Sequence, residues 1–223
     1  MELCDPATER ELFSLVKRER LARDTGDFGT LLDLYWPDST VRVTWFEGTI
    51  AGFVEVSRER QRTRGGGFHV INPVWCEVAA DRALVESLGE IHIRPHIDGV
   101  ECDVVSWGRF FSRAERRAGR WRLCSFDAIY KKDRIDPVAP DAVLHLDTER
   151  LATARPSYRH LTYLNRDAAY TVPDNLPGDD QPELVQAFYL QARAWLHQLP
   201  PGPRAPGPGP RAPGSGGVDV TVA

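Results

Sequence analysis

One histidine of this sequence occupies an apolar context in which an ionisable ring needs a reason. His69 stands near the start of FHVINPVWCEV, a run whose β-branched and aromatic residues predict a buried strand. Alternate residues of a strand share a face, so the imidazole would lie in a row with Ile71, Pro73 and Trp75. Two interpretations are open: a core histidine that bonds a backbone carbonyl, or a ring with a pKa of about 6.5 that transfers protons in a cavity. The residues alone favour the core histidine.

The other closely spaced histidines do not form a metal site with each other. His92 and His96 would be neighbours on a helix, but on a strand they stand about 13 Å apart, because a strand rises roughly 3.3 Å per residue. Glu90 and His92, about 6.6 Å apart, could share a metal ion. They also belong to a row of polar residues with the same strand parity, which we interpret as a solvated face: Glu86, Glu90, His92, Arg94 and His96. We therefore predict no metal site.

Motifs for cofactors or covalent catalysis are missing from the sequence. Gly65 to Gly67 has neither spacing of a phosphate-binding loop, and a strand follows it instead of a helix. No G-x-S-x-G elbow occurs. The four cysteines lack metal-binding or redox spacing, and we interpret them as reduced thiols, mostly in the core: Cys4, Cys76, Cys102 and Cys124. We expect a protein that works without a cofactor.

Composition indicates a globular chain and disfavours a polyanionic partner. The 223 residues are 42 % hydrophobic and 27 % charged, which is ordinary for a protein with a buried core. A formal net charge of -4 gives no basic footprint, so we predict no nucleic-acid and no membrane partner. The N-terminal residues show no apolar signal segment, and no stretch approaches the roughly 20 apolar residues of a membrane span. We predict a cytoplasmic location.

The first third of the chain predicts two helices, a hairpin and a third helix. Apolar residues at helical spacing predict a helix over 8–24 that ends at Gly26, and a short helix over DFGTLLDLYW with Asp27 as its N-cap. STVRVTWFEGTIAG alternates like a hairpin whose turn contains Gly48. The charges of GFVEVSRERQRTR favour a helix that lies across the sheet.

Residues 68–132 predict four long strands in a meander. The strands FHVINPVWCEV, RALVESLGEIHIRPHI, ECDVVSWGRFFSRAE and RWRLCSFDAIYKKD are separated by short polar connections. Strands of this length must twist or bend, and Gly89 and Gly108 mark the places where bending is easiest. A curved sheet with helices on its concave face is an α+β roll around a cone-shaped pocket.

The C-terminal third predicts an extension and a tail. Residues 139–199 should form a helical extension packed on a domain of residues 1–138. Its last helix should have Asp180 as N-cap, Pro182 near its first position and Glu183 in a capping box. One face of this helix should dock on the body: Leu184, Val185, Phe188, Ala192, Trp195 and Leu196. Residues 200–223 are rich in proline and glycine, and we predict a disordered tail.

Several segments resemble the SnoaL-like branch of the NTF2-like superfamily, which includes scytalone dehydratase and the bile acid 7α-dehydratases. The matching pieces are ARDTGDFGTLLDLYWPDSTV, FHVINPVWCEVAADRALVES, SWGRFF and GRWRLCSFDAIYKKDRIDPV, within residues 8–138. The resemblance implies the cone-shaped roll, and it places the family's acid–base pair on Asp24 and His69. It also implies a homo-oligomer, dimer or trimer, that pairs through the convex face of the sheet.

The sequence departs from the dehydratase pattern at two places. The second histidine of scytalone dehydratase is missing, since CDVVSWGRFF offers only Asp103, Ser106 and Arg109, and no tyrosine precedes Asp24 by one turn. The pocket should be lined by aromatic residues: Trp45, Trp75, Trp107, Phe110 and Tyr130. The resemblance therefore implies a cofactor-free acid–base enzyme, a dehydratase or isomerase, for a small apolar oxygenated ring compound. The alternative is a non-catalytic module that binds a small molecule or serves in assembly.

Overall fold

Two N-terminal helices form the predicted helical hairpin. In the computed structural model, which describes residues 4–167 and 172–198, α1 spans Pro6–Thr25. It ends at Gly26, whose φ of 73° is the left-handed conformation that glycine adopts most easily. α2 spans Phe28–Asp33 and begins at Asp27, whose carboxylate accepts a backbone N–H, as predicted. The prediction that this helix continues to Trp36 is wrong, because the chain there already belongs to the first strand.

Seven strands of the described residues form one curved sheet, which confirms the α+β fold class. A third helix, α3, spans Ile50–Arg64. The strands are β1 Tyr35–Val43, β2 Phe46–Thr49, β3 Phe68–Ala79, β4 Arg82–Ile93, β5 His96–Ile97, β6 Val100–Arg117 and β7 Arg120–Pro137. Their order is β2-β1-β7-β6-β4-β3, with β5 paired to β6. β1 runs parallel to β7 and every other pairing is antiparallel, so the predicted meander is confirmed.

The hairpin of β1 and β2 turns earlier than predicted. Val43 pairs with Phe46, so the turn lies at Thr44 and Trp45, and Gly48 stands inside β2. A Cβ at Gly48 would come within 3.0 Å of the Phe46 ring. This glycine therefore gives room to an aromatic ring instead of making the turn.

β3 changes face at a bulge. Pro73 pairs with Ser87 and Trp75 pairs with Glu86, which leaves Val74 as an extra residue between them. Side chains alternate across a strand, so one extra residue exchanges the faces of everything that follows. The concave face of the sheet packs on α1, α2 and α3 in the main core, and the part of β3 before the bulge that includes His69 faces this side.

The C-terminal residues wrap around both sides of the sheet. They form α4 over Thr148–Ala152, a 3₁₀ turn over Pro156–Tyr158, α5 over Arg159–Asp167 and α6 over Pro182–His197. α6 lies on the convex face, where Ala192 and Leu196 join a buried cluster with Leu84, Phe111 and Ile129. No helix in these parts of the chain is both long enough and apolar enough to cross a bilayer.

The N-cap predicted for α6 is wrong. The cap residue is Gln181, without a side-chain hydrogen bond, and Pro182 opens the helix as predicted. The Asp180 carboxylate instead binds the Arg155 guanidinium at 2.7 and 3.0 Å. A bidentate charged pair satisfies the carboxylate more strongly than one backbone N–H. The predicted tail of residues 200–223 lies outside the described residues, and the domain boundaries stay predictions.

Candidate active site

The structure brings the two residues of the predicted acid–base pair into contact. Asp24 lies in the last turn of α1 and His69 is the second residue of β3. Nδ1 of His69 is 2.6 Å from Oδ1 of Asp24, and the backbone N–H of His69 donates to Oδ2 at 2.7 Å. The exposed fractions of the two side chains are 12 % and 14 %. One carboxylate thus fixes both the backbone and the ring of the same residue.

The electrostatic surroundings keep the imidazole neutral. Burial, and after it the guanidinium of Arg20, lower the pKa of His69 from 6.5 to about 4, although the carboxylate of Asp24 opposes this. Because an ionised carboxylate only accepts hydrogen bonds, Nδ1 carries the proton of the neutral ring and Nε2 carries a lone pair. This tautomer is the one in which Nε2 can accept a proton.

His69 lines a cavity of about 830 Å³ between the concave face and the helices. The Phe110 ring meets the imidazole edge to face, with the ring centroids 5.7 Å apart. Gly89 on the neighbouring strand makes this possible, because a Cβ there would stand 2.6 Å from the Phe110 ring. Trp45 also lines the cavity and stacks on Phe53, with the ring centroids 5.1 Å apart. The cavity therefore has aromatic surfaces beside a fixed imidazole.

Three of the five predicted pocket aromatics line the cavity, namely Trp45, Phe110 and Tyr130. Trp75 and Trp107 are outside the lining of the described residues. Trp75 follows the bulge in β3, so its side chain lies on the convex face against the α6 cluster. Trp107 has the strand parity of the convex-facing Phe111, and its ring lies 5.0 Å from the Lys132 ammonium. The prediction that both tryptophans line the pocket is therefore wrong. The bulge in β3 turns Trp75 to the convex face, and Trp107 lies on the convex side by its position in β6.

Three arginines that were not among the predicted site residues also belong to the cavity. Arg20 and Arg23 on α1 and Arg60 on α3 all line it. A signal was available on α1, where Arg20 and Arg23 continue the face of Leu12 and Val16 at helical spacing. A basic side chain on the extension of an apolar helix face is either at the rim of the core or in a cavity.

A polar group lies around Tyr130 in the same cavity. Its hydroxyl oxygen accepts the backbone N–H of Thr44 at 3.0 Å, and Asn165 of α5 donates to the Thr44 hydroxyl at 3.3 Å. Burial raises the pKa of Tyr130 to about 12. The phenol is therefore protonated at neutral pH and keeps a proton that it can donate in a hydrogen bond.

The row of polar residues predicted on one face of β4 ends before its last two members. Glu90 and His92 bond each other at 2.8 Å, and the imidazole stacks on Phe68. β4 ends at Ile93, however, so Arg94 and His96 leave its parity and line the cavity instead. Within residues 4–167 and 172–198, no group of three or more His, Cys, Asp or Glu side chains could hold a metal ion.

A second aspartate–histidine pair repeats the first away from the cavity. Asp133 on β7 binds Nδ1 of His160 at 2.9 Å with one oxygen and the backbone N–H of Leu161 at 2.8 Å with the other. His160 does not belong to the lining of the cavity within the described chain. Both carboxylates bind an imidazole Nδ1, but the backbone N–H that they accept belongs to His69 itself in the first pair and to Leu161 in the second. Of the two rings, that of His69 lines the cavity.

Comparison with known proteins gives three findings. A family model described as SnoaL-like domain matches residues 7–127, more than half of the chain. A PEP2-like protein and the Pea pathogenicity protein 2, both of Fusarium vanettenii, are 26 % and 25 % identical over 185 residues, covering 78 % of this chain and 79 % of each relative. The hexachlorocyclohexane dehydrochlorinase LinA-type3 of Novosphingobium barchaimii is similar in structure, with a TM-score of 0.51 and 17 % identity over 63 % of this chain and 96 % of that one. At such an identity the likeness concerns the fold.

Proposed function

The chain belongs to the SnoaL-like domain family, and from this premise we propose that it is a cofactor-free acid–base enzyme of the dehydratase or isomerase type. Its substrate is a small, largely apolar oxygenated ring compound. The observation that supports this most directly is the Asp24–His69 pair at the wall of an aromatic cavity of about 830 Å³. That volume lies within the range of roughly 300–1,000 Å³ typical of small-molecule sites.

The neutral imidazole is the base of the proposed reaction. Nε2 takes a proton from a carbon next to a carbonyl group, and the Asp24 carboxylate stabilises the imidazolium that forms. The same proton then returns, either to a hydroxyl group that leaves as water or to another carbon of the substrate. The first outcome is a dehydration and the second an isomerisation.

A base with a pKa of about 4 needs help from its surroundings to accept a proton from carbon. The substrate becomes an enolate in this step, and stabilisation of its negative charge lowers the barrier. Arg20 and Arg23 carry positive charge in the same cavity, and the Tyr130 hydroxyl is a neutral donor. Arg20 and Tyr130 are suited to the enolate oxygen, while aromatic walls bury the ring.

Solvent exchange of a carbon-bound proton tests this function without knowledge of the natural substrate. We expect the full chain in ²H₂O to accelerate deuterium incorporation into 2-tetralone, a bicyclic ketone with acidic α-protons, followed by ¹H NMR. His69→Gln and Asp24→Asn should each lower the rate by roughly 10²–10⁴-fold, the usual contribution of a positioned acid–base group.

The matched control is His160→Gln, which breaks the second aspartate–histidine pair without touching the cavity lining. This variant should keep the exchange rate of the wild-type protein and lose only stability. An unchanged rate in a folded His69→Gln variant would contradict the catalytic proposal and support the binding module instead.

A further inference from the structure

Three guanidinium groups surround the aromatic side of the cavity. Arg20 lies over the rings of Phe110 and Phe126, at 5.1 and 4.4 Å from their centroids. Arg23 and Arg60 lie at 5.8 and 4.5 Å from the Trp45 ring. Stacking on ring faces leaves the edges of a guanidinium, with their N–H donors, available to a third partner. Arg23 therefore presents donors on a surface that also holds apolar rings.

The acidic groups nearby leave this positive charge incompletely balanced. Glu19 forms an ion pair with Arg20 at 3.0 Å and accepts the Tyr35 hydroxyl at 3.0 Å. Both oxygens of Asp24 accept hydrogen bonds from His69. Neither carboxylate forms a hydrogen bond or ion pair with Arg23, which has none with any described residue and lies over the rings of Trp45 and Phe53.

The charge of Arg23 is only partly compensated by its surroundings. Burial, and after it the positive charge of Arg20, lower the pKa of this guanidinium to about 10, although the carboxylates of Asp24 and Glu19 oppose this. Elsewhere in the lining, Arg94 is paired with Asp103 at 2.7 Å and Asp98 adds one carboxylate. A partly buried arginine without an ion pair is costly unless an anion binds it.

We propose that the cavity selects a ligand with a carboxylate beside its apolar ring, and that Arg23 is the residue that binds this carboxylate. The inference deepens the proposed function by naming the substrate class, and it rests on that function in placing the substrate in this cavity. A planar guanidinium matches a carboxylate with two parallel hydrogen bonds, whereas a neutral amide of the same shape supplies one acceptor and no charge. The ring of the ligand lies between the aromatic walls.

The test compares two probes of equal shape, 2-naphthoate and 2-naphthamide, by isothermal titration with the full chain. We expect 2-naphthoate to bind about ten- to a hundredfold more tightly, because a charged hydrogen-bond pair is stronger than a neutral one. Arg23→Gln should remove this preference, and Arg23→Lys should restore part of it, since a lysine keeps the charge without the planar fork. High salt should reduce the preference of the wild-type protein.

Arg18→Gln is the matched control, because Arg18 lies on the same helix with an exposed side chain and the substitution makes the same change in charge. It should leave the preference as it is. Equal affinity of the two probes for the wild-type protein, no binding of 2-naphthoate at millimolar concentration, or an intact preference in Arg23→Gln would overturn the proposal. The measured quantity is an affinity, so loss of the proposed base at His69 would be detected only by deuterium exchange and would not be confused with these outcomes.

Discussion

Acidification should destabilise the protein through His69 before most carboxylates are protonated. In the unfolded chain the imidazole has its ordinary pKa of 6.5, whereas in the folded chain the pKa is about 4. As the pH falls below 6.5, the unfolded state therefore binds the proton first and unfolding becomes more favourable. Each tenfold difference in proton affinity corresponds to about 1.4 kcal/mol, so the neutral ring contributes about 3 kcal/mol of stability that is lost between pH 6.5 and pH 4.

Urea unfolding measured at intervals from pH 7.5 to pH 4.5 tests this linkage. The free energy of unfolding of the wild-type protein should fall more steeply with acid than that of His69→Gln, by up to about 1.4 kcal/mol for each pH unit. His160→Gln serves as the comparison, because His160 belongs to the other aspartate–histidine pair. Parallel pH profiles for the wild-type protein and His69→Gln, or an NMR titration of the His69 ring near pH 6.5, would refute the reasoning.

Four further outcomes are expected. Gly89→Ala should lower the free energy of unfolding by about 1–3 kcal/mol, because the new methyl group overlaps the aromatic ring that packs on the imidazole; unchanged urea unfolding would contradict this packing. Trp45→Phe should weaken 2-naphthoate binding severalfold in titration calorimetry, whereas Trp75→Phe on the convex face should not. Leu88→Glu, at a residue 52 % exposed on the face of the sheet that also carries α6, should dissociate the expected homo-oligomer to 25.1 kDa subunits in light scattering. Deletion of residues 200–223 should leave the melting temperature nearly unchanged, and a drop of many degrees would show that the tail packs on the sheet.

Patterns of period and turn chemistry were sufficient to predict the order of the main elements. The αL glycine after α1 and the four meander strands follow from local residue types, which act over a few positions. The face of Trp75 could not be read in this way, because the extra residue at Val74 is defined by the partner strand and not by β3 itself. The N-cap predicted for α6 is wrong for a similar reason, because the Asp180 carboxylate binds an arginine that lies 25 positions away in the sequence.

The sequence allowed the contact between Asp24 and His69 to be predicted, but not the arginines that line the cavity. Asp24 and His69 came from the resemblance to a family, while the residues around His69 favoured a core histidine. Arg23 and Arg60 lie on different helices, separated by the whole first hairpin, and their meeting at Trp45 depends on the tertiary fold. Burial without an ion partner is likewise a property of the folded chain, so sequence spacing could not indicate it.

The contact between Asp24 and His69 also closes a loop of the chain, with a sequence separation of 45. This loop contains α2, the first hairpin and α3, and so carries Trp45 and Arg60. Closing such a loop costs conformational entropy that must be offset by contacts made within it. Non-local contacts of this kind tend to form slowly during folding. The proposed base and the part of the lining that holds Trp45 and Arg60 are therefore completed by one closure step, and weakening that step should slow the assembly of both.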